Sequence, residues 1–345
     1  MESALGFVIV IISLALLYDF LNGANDSANA IATVIATKAL TPLKALALAS
    51  FFNVLGAFAF TAVAKTVGKG IVPPGALPTN IFLLVLISGL LGAIIWTYIC
   101  TSFGIPISVT HSLVGAILGA GIVAGGTGIV QWKVLTDKVF LAIALGPFAG
   151  FIAGALLFSL ISWLLYLFFK NTPATETEGT FKKLQIISSS FMAFSHGMND
   201  TQNAMGIITA ALITGGFILV EHPEQFPVPW WVKIMCGSVM ALGTLLMGWK
   251  VIRTMGWRLT KLEPKHGFSA ETGAGLAVVA MSVAGMPVST THVIGSAVIG
   301  GTFFQSLRRI RWPEVWRMLT AWVITIPMAA AIGGAAYWVM QLGLS

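Results

Sequence analysis

The sequence predicts an all-α polytopic membrane protein, built as two inverted repeats of about six hydrophobic segments each and carrying broken or re-entrant helices. Three observations lead there. Hydrophobic residues make up 57% of the 345-residue chain and charged residues only 9%, against roughly 25% charged in an average soluble domain. Apolar runs of helical length recur along the whole chain without the period-two alternation of a membrane β-barrel. Two polar motifs each occur twice, in the same order. The composition alone excludes soluble globular, disordered and nucleic-acid-binding classes.

A hydrocarbon core about 30 Å thick takes roughly 20 apolar residues as helix. Apolar stretches lie near 4 to 20, 26 to 37, 43 to 64, 80 to 103, 105 to 124, 139 to 169, 184 to 198, 200 to 219, 230 to 250, 268 to 284, 286 to 305 and 318 to 342. Several are too short to span alone. The shortest flank two polar interruptions, the pattern expected of discontinuous helices. The charge-mixed stretch 170–183, with Lys170, Glu176, Glu178, Lys182 and Lys183, reads as a cytoplasmic linker between a first repeat, 1–169, and a second, 184–345. The N-terminus runs from Met-Glu-Ser directly into an apolar stretch, without the basic region and cleavage pattern of a secretory signal, so no removal is expected. Cys100 and Cys236 lie inside apolar runs and read as packing residues. Trp132, Trp230, Trp231, Trp312 and Trp316 flank segment ends, as interfacial anchors do.

The duplication is explicit. Asn22-Gly23-Ala24-Asn25-Asp26-Ser27-Ala28-Asn29-Ala30 matches His196-Gly197-Met198-Asn199-Asp200-Thr201-Gln202-Asn203-Ala204 at an offset of 174. Gly104-Ile105-Pro106-Ile107-Ser108-Val109-Thr110-His111 matches Gly285-Met286-Pro287-Val288-Ser289-Thr290-Thr291-His292 at an offset of 181. Positive charge accumulates in cytoplasmic connections, and it sets the repeats in opposite orientations. Loop 38–44 carries Lys38 and Lys44 and no acid, whereas its equivalent, 220–230, carries Glu221 and Glu224 and no base. Following the crossings from there puts fourteen basic residues inside and five (Lys65, Lys69, Lys133, Lys138 and Lys233) outside, with both chain termini outside.

An ionised carboxylate at membrane depth normally faces a cavity, a cation or a partner. Asp26 and Asp200 occupy matching positions. Four-residue helical spacing puts Asn25 and Asn29, and likewise Asn199 and Asn203, on one face. Each motif thus gathers a carboxylate and two amide oxygens, hard ligands suited to Na⁺, with a glycine that lets the backbone open to add carbonyls. The bland reading is an interhelical Asn/Asp clamp. In the second motif, Gly-x-Pro stops one helix and Ser108 or Thr110, like Ser289 or Thr291, caps the next. Such helix N-termini attract anions through unpaired N–H groups and the dipole. Plain capping in a kinked helix is the bland reading here. No Lys or Arg lies mid-segment to neutralise a bound oxyanion, so its countercharge must come from cations on the Asn-Asp motifs.

These residues strongly resemble the inorganic phosphate transporter family, through both Gly-x-Asn-Asp-[Ser/Thr]-x-Asn-Ala signatures and both Pro-x-Ser-x-Thr-His segments over nearly the whole chain. The resemblance implies a sodium-coupled symporter of inorganic phosphate, working by alternating access in the plasma membrane (the inner membrane of a bacterium) and not an enzyme. It implies Na⁺ as the coupling ion, with no organic cofactor. Asn25, Asp26, Asn29, Asn199, Asp200 and Asn203 would hold Na⁺. Ser108, Thr110, Ser289 and Thr291 would bind phosphate, with Gln202, Asp26 and Asp200 contributing. The lipid bilayer and a second copy of the chain are the other candidate partners, and no nucleic acid is expected. His196 and Gln202 replace Asn22 and Ala28 of the first copy, so only pseudo-symmetry is expected.

Proton coupling, or sulfate as substrate, is the alternative within the same fold. An intramembrane aspartyl protease lacks its Gly-x-Gly-Asp partner here, and a channel would need a continuous polar pore. His111 and His292 read as packing residues or proton relays. Asp19, whose equivalent is Ala193, reads as an additional cation ligand or a cavity-wall residue, and Glu271 as an interface-facing residue near a segment end.

Overall fold

The computed structural model describes residues 2–222, 225–246 and 248–344. Twelve helical stretches account for the architecture: α1 (Glu2–Ala36), α2 (Pro42–Ala57), α3 (Ala62–Gly70), α4 (Thr79–Ser102), α5 (Val109–Gly125), α6 (Trp132–Phe168), α7 (Ala174–Thr214), α8 (Trp230–Leu246), α9 (Trp249–Arg258), α10 (Pro264–Val283), α11 (Thr290–Phe303) and α12 (Trp312–Leu344). Among the described residues there is no strand. Four helices are long and apolar enough to cross a membrane, or six if the bent pairs α2–α3 and α8–α9 each count as one span. Leu156, Trp163, Val323 and Trp338 are among the apolar side chains left exposed on the outer helices, as lipid rather than water contact requires.

The breaks fall elsewhere than the apolar stretches indicate. Stretches 4–20 and 26–37 are one helix, α1, and 184–198 and 200–219 lie mainly in another, α7, so both Asn-Asp motifs sit inside continuous helices. The asparagine N–H groups there bond to neighbouring helices, and neither motif contains a proline to interrupt the ladder. The bends instead separate α2 from α3, at 73°, and α8 from α9, at 63°. The residues 174–183 of the charge-mixed stretch form the first turns of α7.

The motif glycines serve close approach rather than backbone opening. A Cβ at Gly23 would overlap the Met240 carbonyl oxygen of α8, and one at Gly197 would overlap that of Asn53 on α2. Gly56 meets the Phe194 carbonyl and Gly243 that of Phe20 in the same way. These contacts come in reciprocal pairs: α1 lies against α8 as α7 lies against α2. The Thr66 hydroxyl donates to the Gly285 carbonyl at 2.7 Å, and Thr254 donates to Gly104 at 2.8 Å. Gly104 and Gly285 both turn the chain with left-handed φ, +67° and +68°, just before α5 and α11 begin. Pro147 and Pro327 lie inside α6 and α12, which pack against α11 and α5 respectively.

The close approach gives a direct test. Gly23→Ala and Gly197→Ala are expected to destabilise the protein by about 1–3 kcal/mol each, because a methyl must push two backbones apart. Gly179→Ala, at an exposed helical position with nothing within 4 Å, should leave the melting temperature unchanged or raised. Equal melting curves for all three variants would remove the close-approach argument.

Candidate functional site

Helices α1 and α7 bring Asn22, Asn25, Asp26 and Asn29 against His196, Asn199, Asp200 and Asn203 in a fully buried layer. Oxygen or nitrogen atoms of Asp26, His196 and Asp200 all lie within 4.8 Å of one another. The N-termini of α5 and α11 close on this layer, and their first-turn imidazoles, His111 and His292, meet edge to face with centroids 4.9 Å apart. His292 also stacks on Trp322 at 4.0 Å. Both histidines are buried at the contact between the two helix starts, and their Nε2 atoms have no hydrogen-bond partner among the described residues.

The hydrogen bonds of the two motifs correspond. Asn25 Nδ2 donates to Thr101 Oγ1 at 2.8 Å on α4, while Asn199 Oδ1 accepts from Ser282 Oγ at 3.0 Å on α10. Asn203 Nδ2 donates to Thr110 Oγ1 at 2.8 Å, and Asn29 Nδ2 to Thr291 Oγ1 at 3.0 Å. The second set is crossed: each motif in one half grips the threonine of the other. Thr291 Oγ1 donates onward to Asp26 Oδ1 at 2.9 Å. Asn199 Nδ2 donates to Asp200 Oδ1 at 2.6 Å and to the Val288 carbonyl at 2.7 Å.

Ser108 and Ser289 are the N-caps of α5 and α11, accepting from the His111 and His292 N–H groups at 3.1 and 3.2 Å. A capping hydroxyl used as acceptor keeps its own proton for an oxyanion. The first turn of each helix likewise presents N–H groups that have no intrahelical partner. The sequence places Gln202 among the anion ligands. In the structure its Oε1 accepts from the Ala64 N–H in the first turn of α3 at 3.0 Å, and its Nε2 donates back to the Met198 carbonyl. Gln202 therefore fixes α3 against the motif of α7.

His196 Nδ1 lies 3.0 Å from Asn53 Oδ1, whose amide is oriented by donating to Thr244 Oγ1 at 3.2 Å. With Nδ1 donating, Nε2 of the neutral ring turns a lone pair toward Asp200 Oδ2, 3.6 Å away. Around it, Asp19 Oδ1 and Oδ2, Asp200 Oδ2, and the amide oxygens of Asn22, Asn25, Asn29 and Asn203 are buried without a hydrogen-bond donor among the described residues. All are acceptors. Such a set in a low-dielectric interior calls for a proton, water or a cation to satisfy it.

Several participants escape a reading by motif. Thr101 and Ser282 stand three residues before the Gly-x-Pro in both halves, a repeat visible once the ladder is known. Asn53, Thr244 and Tyr18, whose hydroxyl donates to the Val109 carbonyl at 3.1 Å, have no repeated signal. Glu271 is a correction. It is fully buried rather than interface-facing, with its carboxylate held by Thr33, Ser188 and Gln185. Leu90, at the same place in the first half, is also fully buried, so this polar pocket exists on one side only.

The sequence pattern of the phosphate transporter family matches residues 22–333, a range that contains both motif pairs. The chain belongs to the phosphate transporter family. Among its relatives are two proteins named "Probable low-affinity inorganic phosphate transporter". The one from Bacillus subtilis (strain 168) is 39% identical over 342 residues, and the one from Rhizobium meliloti (strain 1021) is 40% identical over 346; each alignment covers 99% of both chains. A solved sodium-dependent phosphate transporter superimposes with a TM-score of 0.90 at 28% identity, covering 98% of this chain and 99% of that one. This transporter is thus a multi-pass membrane protein that moves phosphate and not an enzyme.

The threonines separate anion binding from capping. Losing a hydroxyl bond to a charged acceptor costs about 1.5–3 kcal/mol, so Thr110→Ala and Thr291→Ala should weaken phosphate binding by roughly 10- to 100-fold, with Thr→Ser milder. Thr291 gives its one proton to Asp26, so Thr291→Ala should act by untying that carboxylate. Titration calorimetry alongside melting curves distinguishes the roles: unchanged affinity with a lower melting temperature would leave both as structural residues.

Proposed function

We propose that this transporter is a sodium-coupled phosphate symporter whose Na⁺ ions sit on the acceptor oxygens of α1 and α7 and whose phosphate lies against the starts of α5 and α11. The observation that carries the reading is the acceptor-only set of buried oxygens from Asp19, Asn22, Asn25, Asn29, Asp200 and Asn203. Carboxylate and amide oxygens are the donors a hard monovalent cation takes. The sodium dependence of the solved relative points the same way.

Charge balance explains why the two substrates travel together. With no Lys or Arg in the buried layer, Asp26, Asp200 and phosphate would place like charges side by side in a low-dielectric space. Sodium ions supply the offsetting charge. Asp26 then orients Thr291, Asn29 and Asn203 hold the threonines of the opposite helix starts, and Ser108 and Ser289 turn hydroxyl protons toward the anion.

We further infer two inverted repeats, 1–169 and 184–345, alternating between outward and inward access, with both termini outside. Charge placement supports this sidedness. Lys250 Nζ donates to the Ser102 carbonyl at 2.7 Å, and Arg309 Nη1 donates to Glu263 at 2.9 Å, which groups the connections assigned inside. Lys138 Nζ donates to the Ala284 carbonyl at 2.7 Å, in a cavity of about 760 Å³ shared with Lys65, Lys69 and Gln225 of the connections assigned outside.

In proteoliposomes, an inward Na⁺ gradient is expected to drive phosphate accumulation that a pH gradient in Na⁺-free buffer does not. Full uptake on the pH gradient alone would overturn sodium coupling. Asp26→Asn and Asp200→Asn preserve shape and remove charge, and each should lower Na⁺-driven uptake by about 100-fold or more. Wild-type Na⁺ dependence in both variants would reduce the carboxylates to a structural clamp.

A further inference from the structure

The end of α1 carries a backbone anomaly with no role in the transport site. Lys38 adopts φ +59°, the one positive φ at a non-glycine residue among the described residues. It terminates the helix by the usual left-handed closure: Ala39 N–H bonds the Val34 carbonyl and Lys38 N–H that of Ile35, both at 3.0 Å. The end of α7 closes identically, with Phe217 N–H on Leu212 at 2.9 Å and Gly216 N–H on Ile213 at 3.1 Å. There the left-handed position is Gly216, at φ +77°. Glycine is the unstrained choice, and a lysine in its place gives up backbone ease for a side chain. Positive charge for membrane orientation needs a lysine somewhere in the loop, not at its one strained position.

That side chain lines a cavity of about 480 Å³ together with Lys44, Thr41, Trp249 and Trp257. No carboxylate lines it, and neither lysine makes an ion pair or side-chain hydrogen bond among the described residues. Trp249 and Trp257 stay 48% and 42% exposed, and Leu43 beside the cavity is 75% exposed. Trp257 lies in a π-helical turn, Thr254–Arg258, that departs from the ladder of α9. The cavity sits where the apolar span Ala4–Ala36 ends, and lysine and tryptophan at the end of a span are the side chains that meet lipid headgroups.

We propose that this cavity binds the phosphate of an anionic phospholipid headgroup, with Lys38 and Lys44 on the phosphate oxygens and the two tryptophans along the glycerol and upper acyl chain. The aromatic walls select the lipid over free inorganic phosphate, which has no apolar part to place against them. The lipid would tie the end of α1 to α9 across the bend of the α8–α9 pair. The inference concerns a site separate from the buried layer and stands whichever ion drives transport.

The test uses the full-length protein, purified in detergent and titrated with phosphatidylglycerol, phosphatidylcholine or inorganic phosphate, read by native mass spectrometry and by melting temperature. Phosphatidylglycerol should bind and raise the melting temperature, while phosphatidylcholine should do neither. Each lysine near a headgroup phosphate is worth roughly fivefold in affinity. Lys38→Gly and Lys44→Gln should thus each weaken phosphatidylglycerol binding by about that factor, and the double variant by about 30-fold. Lys38→Gly is the discriminating variant, because glycine suits the left-handed position: without lipid it should melt no lower than the wild type. Wild-type phosphatidylglycerol binding in the double variant would overturn the site. So would a Lys38→Gly protein that melts lower and binds lipid normally, since Lys38 would then be a structural cap. A thermal shift from inorganic phosphate alone that both lysine variants lose would assign the cavity to the free anion and overturn the lipid.

Discussion

Everything in this bundle depends on keeping unpaired oxygen atoms at its centre. Oxygens of Asp19, Asp200 and the Asn22, Asn25, Asn29 and Asn203 amides are buried there on α1 and α7. A protein of this composition has no lysine or arginine at that depth to neutralise them. Removal from water is costly without an external cation, and the proposed coupling of substrate to ion rests on this one constraint. The glycine contacts of Gly23, Gly56, Gly197 and Gly243 hold the layer tight enough that the oxygens cannot relax toward one another.

The two helix starts complete that arrangement with opposite chemistry. Ser108 and Ser289 satisfy an N–H of their own helices and still retain a proton. Thr110 and Thr291 accept from the motif asparagines, and Thr291 passes a proton on to Asp26. The asparagines of α1 and α7 spend their N–H groups on these threonines and leave their amide oxygens as acceptors, while the serines of α5 and α11 keep a proton to donate. The near-symmetry ends at His196, Gln202 and Glu271, whose counterparts are Asn22, Ala28 and Leu90. The two faces of the layer are therefore chemically distinct.

The fold class, the duplicated motifs and the gathering of their carboxamides in one buried layer were legible because each leaves a pattern in residue identity: hydropathy, two offsets, and asparagines four apart. What stayed hidden depends on contacts between distant residues. A glycine beside a polar cluster looks like a hinge, yet the deciding fact is the Met240 or Asn53 carbonyl packed against it from another helix. The polar interruptions look like helix breaks for the same reason, since their satisfaction by Thr101, Ser282, Thr110 and Thr291 cannot be seen locally. Gln202 sits in a motif of ligands and yet secures the start of α3. Glu271, a lone acid in an apolar run, gives no hint of the hydroxyls that converge on it from α1 and α7.

The crossed bonds carry a consequence for how such a molecule arises. Asn29 belongs to the first half and grips Thr291 of the second, while Asn203 of the second grips Thr110 of the first. Each half leaves one of these bonds to be completed by the other. If the duplicated motifs come from one ancestral unit, that unit needed a second copy to supply the threonine its asparagine grips. Within one chain the two motif copies differ independently, with His196 where the first copy has Asn22.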